Sequence, residues 1–463
     1  MKTDTIAAVA TALSDSGIGI IRISGPDAVE IADRIYRSKG GTVKLKDAKS
    51  HTIHYGFIVD GKSGEVLDEV LVSVMLAPKT YTAEDTVEIH CHGGVFIMQR
   101  ILEEVLRAGA VNAEPGEFTK RAFLNGRIDL SEAEAVMDVI HSQSELALKT
   151  SLSQLKGSVS KKIADIRAKV LYEIAFIESA LDDPEHISLE EYPERLDGTV
   201  SGLIEEVKVL LSTADSGRII KEGIKTVIVG KPNAGKSSLL NYLLGEDKAI
   251  VTEIAGTTRD VLEETVRING IPLCIIDTAG IRSTEDIVEK IGVEKAKKYA
   301  SFADLILYVV DSSVPLDESD REIMELIGLK KYIVLFNKTD LLPVVNEDVL
   351  AEELGIERSC IVKTSIKDET GIDLLEKKIK DMFFEGDIAF HNEVYITNIR
   401  HKELLQDTLQ SLMLVKKSLD NRMPEDFYSI DLMNAYRSLG FILGEEVGDD
   451  LVDEIFSKFC MGK

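Results

Sequence analysis

The run Gly230-Lys231-Pro232-Asn233-Ala234-Gly235-Lys236-Ser237 has the spacing G-x-x-x-x-G-K-[ST], between an apolar stretch ending at Val229 and a helix-forming stretch from Ser238 to Leu244. In that setting backbone N–H groups converge on phosphate oxygens, Lys236 reaches the β- and γ-phosphates, and the Ser237 hydroxyl ligates Mg²⁺. Asn233, Ala234, Gly235, Lys236, Ser237 and Ser238 are therefore candidate nucleotide contacts. Asp277-Thr278-Ala279-Gly280 follows the apolar run Leu273 to Ile276, placing a carboxylate near the metal and a glycine where a γ-phosphate approaches.

Asn337-Lys338-Thr339-Asp340 ends another apolar run. A carboxylate at Asp340 accepts hydrogen bonds from N1–H and N2–H of guanine, which adenine does not offer, so GTP is chosen over ATP. Thr364-Ser365-Ile366 is placed for a main-chain contact to guanine O6. Between the first two motifs lies Thr252-Glu253-Ile254-Ala255-Gly256-Thr257-Thr258-Arg259-Asp260, a switch loop in which Thr258 completes the Mg²⁺ shell only when the γ-phosphate is present.

Hydrolysis needs a group that orients water. Ile281, after the D-x-x-G motif, is apolar, which leaves Glu285, Asp286 and Glu289 as acidic candidates. No residue reads as an arginine finger. The Asn233 amide oxygen, with switch-loop carbonyls, offers a site for a monovalent cation that would supply the missing positive charge, so hydrolysis is expected to be stimulated by K⁺.

These groups need a frame. A chain of 463 residues is expected to form about three domains. With 44% hydrophobic and 29% charged residues its composition is globular, and no stretch is apolar for the ~20 residues of a membrane span. The start, Met1-Lys2-Thr3-Asp4-Thr5, lacks a secretory pattern, and Cys91, Cys274, Cys360 and Cys460 lack C-x-x-C spacing, so a cytoplasmic protein with reduced thiols is expected. A formal charge of -26 opposes nonspecific nucleic-acid binding, so any RNA contact is local or partner-assisted. His90-Cys91-His92 alternates across strand faces and makes a poor zinc cage.

Short β-rich runs (Ile18 to Ser24, Val70 to Leu76, Thr86 to His90) and a helix near Phe96 to Ala108 predict an N-terminal α/β domain. Leu152, Leu155, Val159, Ile163, Ile166, Val170, Ile174, Ile177 and Leu181 then recur at helical spacing, predicting one long helix with Gly157 inside it. A second helix is expected from Thr199 to about Ser212. Thr226 to Val229, Leu273 to Ile276, Leu305 to Val310 and Ile333 to Phe336 predict a buried parallel sheet. Helical patterns return at Lys402 to Leu419, at Ser429 to Leu443, and around Leu451, Ile455 and Phe459. The economical arrangement is a helical domain interrupted by an inserted nucleotide-binding domain.

Over almost its whole length the chain also resembles the bacterial tRNA-modification GTPase family MnmE (TrmE). The resemblance is carried by Asp4-Thr5-Ile6-Ala7-Ala8, Gly19-Ile20-Ile21-Arg22-Ile23-Ser24-Gly25, Tyr81-Thr82-Ala83-Glu84-Asp85, His92-Gly93-Gly94, Pro115-Gly116-Glu117-Phe118-Thr119, Arg121-Ala122-Phe123-Leu124-Asn125-Gly126, Gly256-Thr257-Thr258-Arg259-Asp260 and Cys460-Met461-Gly462-Lys463. It implies a multidomain α/β plus all-α protein: a tetrahydrofolate-binding and dimerisation domain over 1–127, a helical domain from 128–220 and 385–463, and an inserted Ras-like P-loop GTPase domain over 221–384. It implies a homodimer that works with the flavoprotein MnmG, in a heterotetramer, on the C5 position of wobble uridine in tRNA, with 5-formyltetrahydrofolate or a related folate as ligand.

Carried over residue by residue, the resemblance puts folate contacts at Arg22, Glu88, Arg127 and Lys463, K⁺ ligands at Asn233, Thr252, Ile254 and Thr257, and the water-polarising carboxylate at Glu289. An arginine would pair with a folate carboxylate, and Glu88 would accept from pterin N–H groups. Two positions depart from the pattern: Met461 replaces isoleucine, and Ala83 stands where glycine is common, which matters if that turn needs positive φ. Cys460 is a candidate reactive thiol. Two alternatives differ in kind: a ribosome- or membrane-associated assembly GTPase acting as a binding switch, and a folate enzyme with a degenerate G domain.

Overall fold

Strict alternation builds the N-terminal sheet. In β2 (Ser16–Ser24) and β6 (Thr86–Gly93), Ile21, Ile23, Val87, Ile89 and Cys91 point to a buried face, while Arg22, Glu88 and His90 point to the other. With β1 (Ile6–Val9), β3 (Tyr36–Ser38), β4 (Thr52–Val59), β5 (Val66–Met75) and β7 (Val111–Asn112) they form a sheet of order β3-β4-β5-β6-β2-β1-β7. All neighbours are antiparallel except β1 and β7. Helices Ala28–Ile35 and Val95–Arg107 cover the buried face through Ile31, Ile35, Met98, Ile101 and Val105.

This computed structural model describes all residues except 1–3, 42, 184, 187–190, 247–262, 269–270, 277–301, 328–329, 385–393, 460 and 463. The chain divides into two units, one of Met1–Met137, Gln154–Leu196 and Leu414–Lys463, the other of Asp138–Ser153 and Asp197–Met413.

Within the first unit, helix Ser158–Asp182 packs on helix Glu425–Leu443. The stripe Val159, Ile163, Ile166, Val170, Ile174 and Ile177 is fully or nearly buried, each side chain contributing on the order of 1.5–3 kcal/mol. The expected single helix through Gly157 is in fact two, Glu145–Leu155 and Ser158–Asp182. Gly157 sits at φ +81, a conformation that ends one helix and caps the next and that a side chain disfavours. Leu152 and Leu181, assigned to the same stripe, are 38% and 45% exposed.

The next helix starts at Tyr192, earlier than Thr199. Pro193 falls in its first turn, where the missing N–H costs nothing. Tyr192 anchors that start by stacking on Phe176 at 4.8 Å and donating to Glu173 Oε2 at 3.0 Å. The strands β1 and β4 were not legible as runs: IAAV is alanine-rich, and the mixed sequence TIHYGFIV of β4 leaves Ile53 and Tyr55 exposed.

The second unit holds the parallel sheet. Among the described residues its order is β13-β12-β11-β8-β10-β9, from β8 (Ile224–Val229), β9 (Glu263–Ile268), β10 (Ile271–Ile276), β11 (Leu305–Asp311), β12 (Tyr332–Asn337) and β13 (Ile361–Lys363). All pairs are parallel except β9 with β10. Every residue of β10 and β11 is buried, because helices cover both faces. Helices Lys236–Glu246 and Ile372–Phe384 pack on one face through Leu239, Leu243, Leu375 and Ile379. Helices Glu318–Ile327 and Glu347–Leu354 pack on the other through Ile327 and Leu350.

Candidate nucleotide site and a second polar cluster

The loops leaving β8, β11, β12 and β13 all emerge at the carboxyl end of the parallel sheet, where open α/β sheets bind ligands. The loop after β8 runs into helix Lys236–Glu246, whose first turn carries Ser237 and Ser238, both exposed. Asn233 takes φ +62 and is exposed. Gly235 takes φ +112, and a Cβ there would lie 2.3 Å from Asn337 Nδ2, so only glycine lets the phosphate loop meet the base loop. Lys236 Nζ donates to Gly230 O at 2.7 Å and Lys231 O at 2.8 Å. Burial holds the Lys236 pKa below its ordinary value, since neither partner carries a charge.

Asn337 is 3% exposed and works as a bracket. Its Nδ2 donates to Ala234 O at 2.8 Å, and its Oδ1 accepts from Ile366 N at 3.4 Å. One side chain thus ties together the phosphate loop, the base loop and the loop after β13. Asp340 is exposed, and Ser365 Oγ lies 2.9 Å from its Oδ1 and 3.2 Å from Asp368 Oδ2. A single hydroxyl proton serves one of the two carboxylates at a time. That role for the Ser365 side chain was not legible in the sequence, which pointed only to its backbone. Thr364 packs in the same bracket, its Oγ1 donating to Asn337 Oδ1 at 3.4 Å.

Lys231, inside the phosphate loop, turns away from it. Its Nζ donates to Asp320 Oδ2 at 2.7 Å and Asp317 Oδ2 at 3.0 Å. Asp320 is 1% exposed and also accepts from Tyr308 Oη at 2.7 Å and Asp317 N at 2.9 Å. No spacing in the sequence links these residues. Thr252, Glu253, Ile254, Ala255, Gly256, Thr257, Thr258, Asp277, Thr278, Ala279, Gly280, Glu285, Asp286 and Glu289 lie outside the described residues.

In the first unit a second cluster forms where β2 and β6 place Arg22 opposite Glu88. The Arg22 Nε is 2.9 Å and Nη2 2.8 Å from Glu88 Oε1, a two-pronged ion pair, and Nη1 donates to Gly462 O at 3.1 Å. Arg22 is thus engaged by Glu88 and the C-terminal segment. Arg127 lies over the Tyr81 ring at 5.0 Å, and Tyr81 Oη is 2.9 Å from Thr119 Oγ1. Ala83 in the adjoining turn takes φ +59, the positive value for which glycine is suited. Cys460 and Lys463 lie outside the described residues. Among the described residues no group of His, Cys, Asp and Glu is arranged to hold a metal. His90 and His92 face away from Cys91, which is buried with its thiol pushed up to about 11 by desolvation, aided by Asp68.

A parallel sheet with a glycine-bracketed phosphate loop and an asparagine-bracketed base loop at its carboxyl end is the framework of a P-loop GTPase, and the chain is one. The family model described as GTP-binding protein TrmE N-terminus matches residues 5–127, and that described as MnmE helical domain matches residues 130–460. A protein of Lachnoclostridium phytofermentans named tRNA modification GTPase MnmE is 57% identical over 463 residues, covering 100% of both chains. Proteins of the same name from Acetivibrio thermocellus and Staphylococcus haemolyticus are 50% and 47% identical, each covering 100% of both chains. The chain belongs to the MnmE (TrmE) family.

Proposed function

We propose that this protein is the GTP-hydrolysing component of a tRNA wobble-uridine modification system, acting in the cytoplasm as a homodimer with the flavoprotein MnmG. The observation that carries the reading is end-to-end similarity to proteins named tRNA modification GTPase MnmE, flanking units included. An assembly GTPase acting only as a switch has no need of the N-terminal unit. We take the domains to be 1–127, 128–220 with 385–463, and an inserted 221–384.

In this reading the chain's own residues divide the work. Lys236 and the backbone N–H groups of residues 233–238 hold the phosphates, Asp340 selects guanine, and Asn337 keeps the two loops at fixed separation. Ser237, at the start of its helix and exposed, is a fitting hydroxyl ligand for Mg²⁺ with Thr258. Asn233, exposed on a left-handed turn, presents an amide fit for K⁺ with Thr252, Ile254 and Thr257. These cations supply positive charge for the transferring phosphoryl group. Glu289 orients the attacking water.

A folate would meet Arg22, Glu88, Arg127 and the C-terminal Lys463, with Arg22 and Glu88 already paired and Arg127 resting on the Tyr81 ring. Bound folate supplies the one-carbon unit, and GTP hydrolysis drives conformational change.

Deletion of the gene followed by mass spectrometry of tRNA nucleosides tests the reading. Loss of the C5 (carboxymethyl)aminomethyl or aminomethyl groups from wobble uridine is expected. Unchanged wobble modification would sink it. Turnover of GTP should be faster in K⁺ than in Na⁺, and equal rates would remove the cation site from the proposal.

A further inference from the structure

β11 carries none of the nucleotide motifs, yet its last residue grips the base loop. Asp311 is 7% exposed, and its Oδ2 accepts from Lys338 Nζ at 2.5 Å. Its other oxygen accepts from Ser313 N at 2.9 Å and Ser313 Oγ at 2.6 Å, which fixes the carboxylate's orientation. Ser312, fully buried, holds the same lysine by its backbone: Ser312 Oγ donates to Lys338 O at 3.2 Å, and Ser312 N donates to Asn337 O at 3.0 Å.

Lys338 needs that grip. It takes φ +62, a conformation that a residue with a side chain rarely adopts and that persists only where surrounding contacts over-determine it. The ion pair is not a loose surface contact, because the Asp311 side chain is 9% exposed and that of Lys338 32%. A charged pair set into the protein directs a side chain far more firmly than one in water.

We propose that Asp311, with Ser312 behind it, is a positioning residue for guanine-nucleotide binding, holding Lys338 in the conformation in which the Asn337-to-Asp340 loop receives the base. The inference rests on the reading of that loop as the guanine site. Asp311 itself touches no nucleotide; it acts through Lys338.

The test uses the full-length protein and measures equilibrium binding of GDP and XDP together with KM and kcat for GTP. Asp311→Asn keeps the shape and removes the charge; GDP affinity should fall about tenfold and the GTP KM rise by a similar factor, with kcat at saturating GTP unchanged. Lys338→Met should lose about as much, and the double variant Asp311→Asn/Lys338→Met no more than Lys338→Met alone. Ser312→Ala, a milder change, should weaken GDP binding about threefold, which keeps the idea testable should Asp311→Asn fold poorly.

GDP binding within twofold of the parent in Asp311→Asn, even with a lowered melting temperature, would overturn the proposal, as would losses that multiply in the double variant. Asp340→Asn tests the underlying reading separately: an amide there presents a donor to the 2-oxo group of xanthine, so preference should swing from GDP to XDP. If that swing occurs while Asp311→Asn binds normally, only the positioning role fails. If Asp340→Asn still prefers GDP, the guanine reading of the loop fails.

Discussion

Replacing Lys231 by methionine removes a charge while keeping most of the side-chain volume, and it isolates the strut beneath the phosphate loop. Asp320, 1% exposed, would lose one of its three hydrogen-bond donors and its only ion-pair partner among the described residues. Breaking a buried pair by removing one partner costs about 3–5 kcal/mol. Two features reduce that figure. The Lys231 side chain is 17% exposed, so its ammonium retains some water, and Asp320 keeps the Tyr308 hydroxyl and the Asp317 N–H. A loss of about 2–3 kcal/mol is expected, a drop of about 5–10 °C in the melting temperature of a unit this size.

The lysine's pKa is raised: burial pulls it down, but Asp320 and Asp317 outweigh burial. Its stabilisation is therefore complete below the ordinary lysine value and is lost only as the pH rises through the folded one. Thermal unfolding at pH 7 measures the full effect. Lys231→Met/Asp320→Asn removes the stranded charge, so the double variant should recover about 1 kcal/mol relative to Lys231→Met. A Lys231→Met protein within about 0.5 kcal/mol of the parent, or strictly additive losses in the double variant, would refute the strut.

Three further outcomes are expected. Ala83→Gly should stabilise the first unit by about 0.5–1 kcal/mol, because φ +59 suits glycine; an unchanged or lower melting temperature would mean the turn is not strained. The His92 pKa is raised by its 2.7 Å contact with Asp68, so the imidazolium is favoured below the ordinary value and its contribution is lost as pH rises through the folded one. In Asp68→Asn, NMR titration of His92 should move back toward 6.5, and an unmoved curve would refute the pairing. Among the described cysteines, half-exposed Cys360 should react with a thiol reagent before buried Cys91 and Cys274; early labelling of Cys91 would contradict its placement in the core.

The nucleotide loops were legible because their chemistry demands contiguous residues at fixed spacing: a glycine at 235, a lysine and a hydroxyl beside it, a carboxylate at 340. The parallel strands were legible for a related reason, since burial on both faces turns each into an apolar run such as Leu305 to Val310. What holds those loops in place was not. Asp311 with Lys338, Asp320 with Lys231, and Ser365 with Asp340 are joined only by strand order. Arg22 and Glu88 both stand in the sequence as candidate ligand contacts, but that they face each other is set by the register of β2 on β6. The break at Gly157 was missed because the apolar period continues across it and only the backbone conformation interrupts the helix.

The packing of helix Ser158–Asp182 on helix Glu425–Leu443 has a consequence during synthesis. The ribosome delivers the second partner roughly 240 residues after the first, a delay of roughly ten to fifty seconds at ordinary elongation rates. Throughout that interval the nascent chain carries the greasy stripe from Val159 to Ile177 without its mate, while the intervening unit is being made. Truncation or stalling anywhere in between leaves an adhesive product, so such lesions are expected to yield clumped, protease-sensitive fragments in preference to a half-active protein.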